Sequence, residues 1–259
     1  DSDRNQSYRI SLIASDQKID HPEVTTFAGS GSSGATDGTG TSAQFHTPRG
    51  ITIDGSNLYT VGAYHTIRKI DISTGEVTTF AGSANSQGST NATGTSARFK
   101  YPQGITSDGT NLYVADTQNH MIRKIVISTG AVTTLAGSTS SGSTDGTGTS
   151  ARFNNPDHIT TDGDSLYVTD LNHTIRKIDI STGTVTTLAG SAGSTGSTNG
   201  TGTSARFNKP RGIVTDGTNL YVTEQANHTI RKIVISTGVV TTLAGSAGSS
   251  GSNDGTGTA

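Results

Sequence analysis

Residues 89–134 read STNATGTSARFKYPQGITSDGTNLYVADTQNHMIRKIVISTGAVTT, and close copies of this stretch lie on both sides of it. The isoleucine in the phrase GITSDG recurs every 54 residues, at Ile51, Ile105, Ile159 and Ile213. A tyrosine keeps the same step, at Tyr59, Tyr113, Tyr167 and Tyr221. A fixed period of this length is typical of solenoids, propellers and repeat arrays.

Each repeat contains four short segments that we predict to be β-strands. In the second repeat these segments are residues 104–107, 111–115, 121–128 and 131–135. They are rich in Ile, Val, Leu, Tyr and Thr, which suit pleated and packed surfaces. Turn-forming Asp, Gly and Ser residues separate them. No segment has a sustained period of 3.6 residues, so we expect negligible helix content.

The connectors between repeats are rich in Gly, Ser and Thr, a composition that taken alone indicates a flexible linker. Residues 137–150 are one of them. Each connector leads into a phenylalanine, and this residue also recurs every 54 residues, at Phe45, Phe99, Phe153 and Phe207. Because the spacing is regular, we predict an ordered connector whose phenylalanine packs between neighbouring repeats.

Composition and charge exclude several classes of protein. The net charge of −2 argues against a general polyanion binder, which normally carries a basic excess. The absence of cysteine excludes a disulfide framework and thiolate chemistry. The sequence contains no run of 18 apolar residues, so no membrane span is predicted. The chain opens at Asp1 without a methionine, which favours a processed product and an extracellular or cell-surface location.

The second half of the repeat resembles the NHL repeat. The pattern Asn-Leu-Tyr-Val-Ala-Asp-x-x-Asn-His-x-Ile-Arg-Lys-Ile is matched closely by residues 111–125 and 219–233, and by the shorter residues 165–178. Residues 57–70 depart more, with Gly62 in place of the acid. The resemblance implies an all-β fold, a β-propeller of four-stranded antiparallel blades and typically six blades.

Under this resemblance the chain divides into two parts. Residues 1–23 form an atypical N-terminal lead with a first strand, and residues 24–259 form the propeller. The four full blades are expected at about residues 50–82, 104–137, 158–190 and 212–245, with connectors between them. Residues 23–29 read EVTTFAG, the same as residues 76–82, and so supply the outer half of a further blade. A complete six-bladed ring would need more strands than this chain supplies.

Three recurring polar sets have a structural interpretation and a functional one. One histidine per repeat could form a metal set, but we favour locally hydrogen-bonded turn residues for His65, His120, His173 and His228. The acids after the second strand, Asp116, Asp170 and Glu224, gather at one face or pair with Arg98, Arg152 and Arg206. We expect solvated strand edges, rather than a basic stripe for RNA, at the Arg-Lys pairs 68–69, 123–124, 176–177 and 231–232.

The positions that vary while the scaffold stays fixed are the candidates for a binding surface. They lie just before or at the start of each inner strand, where the resemblance places one mouth of the channel. We predict a ligand or partner face there, although drift on an unused loop explains the variation equally well. The residues are Arg49, Gln103, Asp157, His158 and Arg211.

The sequence predicts a non-enzymatic binding or assembly module, with a protein partner, a ligand or a second copy of itself as its target. No catalytic constellation, resident metal or cofactor is predicted, and nucleic acid is an unfavoured partner. The alternatives are a metal-dependent lyase or hydrolase on the same propeller, and an RNA-binding platform. Because the end blades lack polar caps, we expect self-association or a longer ring to cover their exposed faces.

Overall fold

The computed structural model of the protein describes residues 23–258, so the first strand predicted within the N-terminal lead lies outside the described part. Four antiparallel β-sheets follow one another along the chain. The first is built from β1 (Gly38–Thr39), β2 (Pro48–Ile53), β3 (Asn57–Gly62), β4 (Thr66–Asp71) and β5 (Glu76–Gly82). The second contains β6 (Gly104–Ser107), β7 (Asn111–Asp116), β8 (Met121–Val126) and β9 (Val132–Gly137).

The third and fourth sheets repeat the same plan. The third contains β10 (Gly146–Thr147), β11 (Pro156–Thr161), β12 (Ser165–Asp170), β13 (Thr174–Asp179) and β14 (Thr184–Gly190). The fourth contains β15 (Gly200–Thr201), β16 (Pro210–Thr215), β17 (Asn219–Glu224), β18 (Thr229–Val234) and β19 (Val239–Ala244). Each sheet is one blade, and the all-β fold class predicted from the sequence is confirmed.

Neighbouring blades meet at their inner strands in chain order. Strand β2 packs beside β6, β6 beside β11, and β11 beside β16. Helical structure among the described residues is limited to 3-10 turns of three residues each. None of these helical segments has the length and apolar character needed to cross a membrane.

The connectors add a feature that the four-strand prediction lacked. In three blades a two-residue strand of the connector, β1, β10 or β15, pairs with the outer strand β5, β14 or β19. The second blade has a single bridge at the same place, between Thr93 and Ala131. A Gly/Ser/Thr-rich segment is thus ordered by joining the edge of the blade that follows it.

A buried arginine in each blade also fixes the connector. Arg123 is fully buried and donates from Nη1 to the carbonyl of Arg98, and from Nη2 to Thr90 O and Asn91 Oδ1. Its guanidinium lies 5.2 Å from the ring centroid of Phe99. Equivalent arrangements are made by Arg68, Arg176 and Arg231. The prediction of solvated Arg-Lys edges is therefore wrong for the arginines. They are buried beneath the connectors and donate hydrogen bonds to connector carbonyls.

Each seam between blades joins two different faces. We call the face of a blade that meets the next blade its trailing face, and the opposite one its leading face. At the second seam Tyr113, Ala115 and Ile122 of the trailing face pack with the leading-face residues Leu166, Val168 and Ile178. Phe153 lies in this cluster with no exposed surface. The predicted packing of the connector phenylalanine between repeats is observed at all three seams, through Phe99, Phe153 and Phe207.

A glycine at the end of the outer strand makes room for this phenylalanine. Gly137 has a φ of +89°, in the left-handed region, and a Cβ there would lie 2.9 Å from Cδ2 of Phe153. The same Cβ would lie 2.4 Å from the carbonyl oxygen of His120. Only glycine combines this backbone conformation with so close an approach.

Candidate functional site

The inner strands of all four blades line one groove. Strands β2, β6, β11 and β16 are edge strands of their sheets, so their outward backbone groups have no strand partner. The groove has a cavity volume of about 530 Å³. Its inner-strand lining is residues 49–52, 104–106, 158–160 and 212–214, and its far wall is Tyr221, Thr223 and Ile230.

Three of the five predicted site residues come together at the rim of the third seam. Asp157 is fully buried, and its Oδ2 lies 3.1 Å from Nη1 of Arg211 and 3.4 Å from Nδ1 of His158. Arg211 also donates from Nε to Oε1 of Gln225 at 3.0 Å. The side chains of His158 and Arg211 stay about one-third exposed, at 35% and 34%. This charged cluster occurs at one seam, between the third and fourth blades, although the scaffold is repeated four times.

His158 stands where the other blades have glycine. A Cβ on Gly104 would lie 2.6 Å from the carbonyl oxygen of Asp157, since the next inner strand packs directly against it. At the third seam a side chain, Thr169, connects the inner strands of the two blades. Its hydroxyl donates to the carbonyl of Arg211 at 2.7 Å and accepts the N–H of His158 at 3.0 Å. Sequence reasoning missed Thr169 and Gln225, and a change of residue type at their repeat positions was the only available signal.

The other two predicted residues lie at the equivalent places in the first two blades. Arg49 is exposed and lines the groove, and its side chain makes no hydrogen bond to another described residue. Gln103 is half-buried, and its backbone N–H donates to the carbonyl of Ala115. Arg49 therefore shares a groove with His158, whereas Gln103 takes no part in the charged cluster.

The repeated histidines close local turns with their backbone N–H groups, and the rings of three of them connect neighbouring blades. His65, His120 and His173 have positive φ, and each Nδ1 accepts a backbone N–H from the blade that follows. The structural interpretation agrees with this geometry, but the expected local hydrogen bond of the ring is replaced by one across the seam. Within residues 23–258, no three His, Asp or Glu side chains lie close enough to hold a metal ion.

The acids after the second strand pair with arginines other than those predicted. Asp116 lies 2.9 Å from Arg123, Glu224 lies 2.9 Å from Arg231, and Asp170 lies 3.5 Å from Arg176, all fully buried. The expected partners Arg98, Arg152 and Arg206 instead donate to carbonyls of their own connectors. Burial raises the pKa of Asp116 to about 6, against the opposing effects of Arg123, Asn119 and the Lys100 N–H. These acids belong to the scaffold.

The two ends of the blade series expose faces that the seams bury. On the trailing face of the fourth blade, Ile230 is 40% exposed, whereas its counterpart Ile122 is fully buried. On the leading face of the first blade, Ile51 is 61% exposed and Ile105 only 5%. Within the described part of the chain, the end faces are therefore uncovered copies of the surfaces that pack together in the seams.

The sequence has relatives among curated proteins. NHL repeat-containing protein 2 of Bos taurus is 33% identical over 189 residues, which cover 67% of this chain. The chain belongs to the NHL-repeat family. It spans about a quarter (26%) of the length of that relative. No protein-family model matches the sequence.

Solved structures agree with the NHL-repeat propeller fold. A structural genomics protein of unknown function from Bacteroides thetaiotaomicron superposes with a TM-score of 0.60 at 26% identity, covering 71% of this chain and 46% of its own. An auxiliary nutrient binding protein from the same organism gives 0.50 at 20% identity, covering 85% and 64%. The second likeness concerns the fold alone.

Proposed function

We propose that this NHL-repeat propeller is a non-enzymatic assembly module whose two end faces bind each other on separate copies, head to tail. The observation that supports it is the match between the end faces and the internal seams. The trailing face of the fourth blade carries Tyr221, Thr223 and Ile230 at the positions that Tyr113, Ala115 and Ile122 occupy in the second seam. A contact of this heterologous kind propagates unless it closes into a ring.

The leading face of the first blade offers the matching surface. Phe45, Leu58 and Ile70 pack with Ala43 and Val77 in a small cluster, and no complete blade of the described residues 23–258 covers them. In the seams, the counterparts Phe99, Leu112 and Ile125 lie in larger clusters that include the preceding blade. Burying apolar surface of this kind is the main favourable contribution to association.

Residues 23–29 occupy the outer part of this leading face. A Cβ on Gly29 would lie 3.3 Å from Cδ2 of Phe45, so this segment sits where the outer strand of a preceding blade would sit. It forms no strand, and Val24 and Phe27 are 95% and 48% exposed. We infer that the outer strand β19 of a second copy takes the place of this segment when the two copies bind.

Sedimentation velocity of the 259-residue chain over a range of concentrations tests the proposal. We expect the average mass to rise with concentration. Ile230→Lys places a charge on the trailing face and should abolish the rise, whereas Thr218→Lys, on an exposed turn of the same blade, should leave it unchanged. A wild-type chain that stays monomeric at all concentrations would overturn the proposal.

A second measurement addresses the displaced segment. Deleting residues 1–29 should strengthen association, because the leading face is then free for the partner blade. Weaker association after the deletion would show that residues 23–29 are part of the interface instead.

The non-enzymatic character is part of the proposal and has its own test. Stoichiometric zinc that survives dialysis against a chelator would favour the lyase or hydrolase alternative. RNA binding that weakens steeply with salt would favour the RNA-binding alternative. The expected extracellular or cell-surface location stays a prediction, which fractionation of the native protein checks.

A further inference from the structure

We propose that the first blade binds one small monovalent anion such as chloride. The anion is held by the buried guanidinium of Arg68 and the backbone N–H of His46, at the place where each of the other three blades carries a carboxylate. The proposal concerns residues of one blade and its connector, so it is independent of the assembly of copies.

In the other three blades a buried carboxylate joins the connector to the strand that carries the arginine. In the second blade Asp116 accepts the backbone N–H of Lys100 at 2.7 Å and a hydrogen bond from Nη1 of Arg123 at 2.9 Å. Glu224 makes the equivalent two contacts, and so does Asp170 with a longer distance to its arginine. The repeat therefore contains a built anion position whose anion is normally a side chain.

The first blade has Gly62 at this position but keeps the two donors. The side chain of Arg68 is 5% exposed, and its Nη1 donates to the carbonyl of Gln44 at 2.8 Å, the same connector contact that the other arginines make. The second hydrogen of Nη1, which bonds the carboxylate elsewhere, has no acceptor among residues 23–258. The N–H of His46, the counterpart of the Lys100 N–H, likewise has no acceptor in that range.

A small cavity is lined by these groups. Its lining includes Gly62, Tyr64, Thr66, Arg68 and His46, and no Asp or Glu of the described chain is part of it. The hydroxyl of Thr66 makes no hydrogen bond to another described residue, whereas its counterpart Thr229 donates to Glu224 at 2.8 Å. The cavity volume of about 10 Å³ is room for about one water-sized species. Chloride is the common anion nearest to that size.

The charge of Arg68 favours an anion over water. Its one acidic partner, Asp37, lies 2.7 Å from Nη2 and is half-exposed. In the third blade Arg176 has Asp145 beside Nη2 and also Asp170 beside Nη1, so the scaffold accommodates a second negative group at this position. Burial lowers the pKa of Arg68, and Asp37 offsets this effect only in part. Hydrogen bonds between a charged donor and an anion are also roughly twice as strong as neutral ones.

Titration with sodium chloride, followed by ¹H–¹⁵N correlation NMR, tests the proposal. Sodium gluconate, whose anion is too bulky for the cavity, keeps the ionic strength constant. The amide signal of His46 should move and saturate, because chloride accepts its N–H. The amide of Lys100, which Asp116 already holds, is the internal control and should not move. A His46 amide that moves no more than that of Lys100 would mean that the cavity takes water only, which overturns the proposal.

Exchanging residues between the first two blades should move the site. Gly62→Asp supplies the carboxylate and should weaken chloride binding at His46 about tenfold or more. Asp116→Gly should make the Lys100 amide respond to chloride. Lys69→Gln removes the charge beside Arg68 in the chain, outside the cavity lining, and should change the dissociation constant less than about twofold. A response at His46 that persists in Gly62→Asp, or that Lys69→Gln weakens equally, would contradict the assignment.

The same spectra show whether the variants are folded. A Cβ on Gly62 would lie 2.8 Å from the carbonyl oxygen of His46, so Gly62→Asp requires a small shift of the connector. If a variant does not fold, the comparison of the His46 and Lys100 amides in the wild type decides by itself, because it needs no substitution.

Discussion

The trailing faces of the second and fourth blades have nearly the same sequence but different surroundings. Tyr113, Ala115 and Ile122 are fully buried in the second seam, whereas Ile230 is 40% exposed and Tyr221 and Thr223 line an open groove. The strands themselves are built alike, with the same register between β7 and β8 as between β17 and β18. A blade therefore forms its sheet whether or not a neighbour is present, but the face of that sheet is buried only where the next blade packs on it.

Stability should accordingly lie in the seams more than in the blades. In repeat proteins the free energy of folding is approximately a sum of unit terms and nearest-neighbour interface terms. Each seam here combines one phenylalanine, one stack of isoleucine and valine side chains, and one histidine hydrogen bond. Comparing a seam with an open end, residue by residue, separates these contributions.

The largest difference is expected for the connector phenylalanine. Phe153→Ala removes a fully buried ring from the second seam and should lower the free energy of unfolding by about 3–5 kcal/mol. Phe45→Ala affects a half-buried ring at the open end and should cost less than half of that. Urea denaturation of both variants measures the difference. Equal losses would mean that the seam adds nothing to the packing of the ring.

An intermediate difference is expected for the acids that pair with the buried arginines. Asp116→Ala leaves Arg123 without its buried partner and should cost about 3 kcal/mol. Asp37→Ala removes a half-exposed partner of Arg68, whose loss water compensates, and should cost about 1 kcal/mol or less. The same denaturation measurement compares the two. A larger loss for Asp37→Ala would contradict the assignment of burial as the deciding factor.

The smallest effect concerns the seam histidines and appears as a pH dependence. Burial lowers the pKa of His65, His120 and His173, with Lys100 or Lys209 adding to the effect. Their neutral form is favoured in the folded state, so their contribution is full above the ordinary pKa of 6.5 and is lost as pH falls below it. Each hydrogen bond lost costs about 0.5–1.5 kcal/mol.

Replacing the three seam histidines by asparagine isolates this contribution, because asparagine tolerates the left-handed backbone and does not titrate. Between about pH 7.5 and 5.5, wild type should lose more stability than the triple variant. Asp116 and Asp170, with pKa raised to about 6 by burial, act in the opposite direction but equally in both proteins. His228→Asn, at the open end, is the control. If His228→Asn reduces the pH dependence of stability as much as the triple variant does, the hydrogen bonds across the seams are not the cause of that dependence.

Much of the fold could be predicted from the repeat alone. The 54-residue period, the four strand segments and the ordered connector follow from residue spacing, because side-chain periodicity and turn residues act locally. The buried arginines could not be predicted in the same way, since an Arg-Lys pair on a strand resembles a solvated edge. Their burial depends on connector carbonyls such as Arg98 O, which only the folded connector brings within reach of Arg123.

The candidate site, like the fold, could be predicted from the sequence only in part. The sequence by itself determined which positions depart from the repeat, and it pointed to Arg49, Asp157, His158 and Arg211 because they vary on a constant scaffold. Only the tertiary structure decided that three of these form one cluster at the third seam while Gln103 stays apart. The physical reason is that contacts between blades join residues 54 apart in the chain, such as Asp157 and Arg211, and a local pattern carries no information about which neighbour will be present.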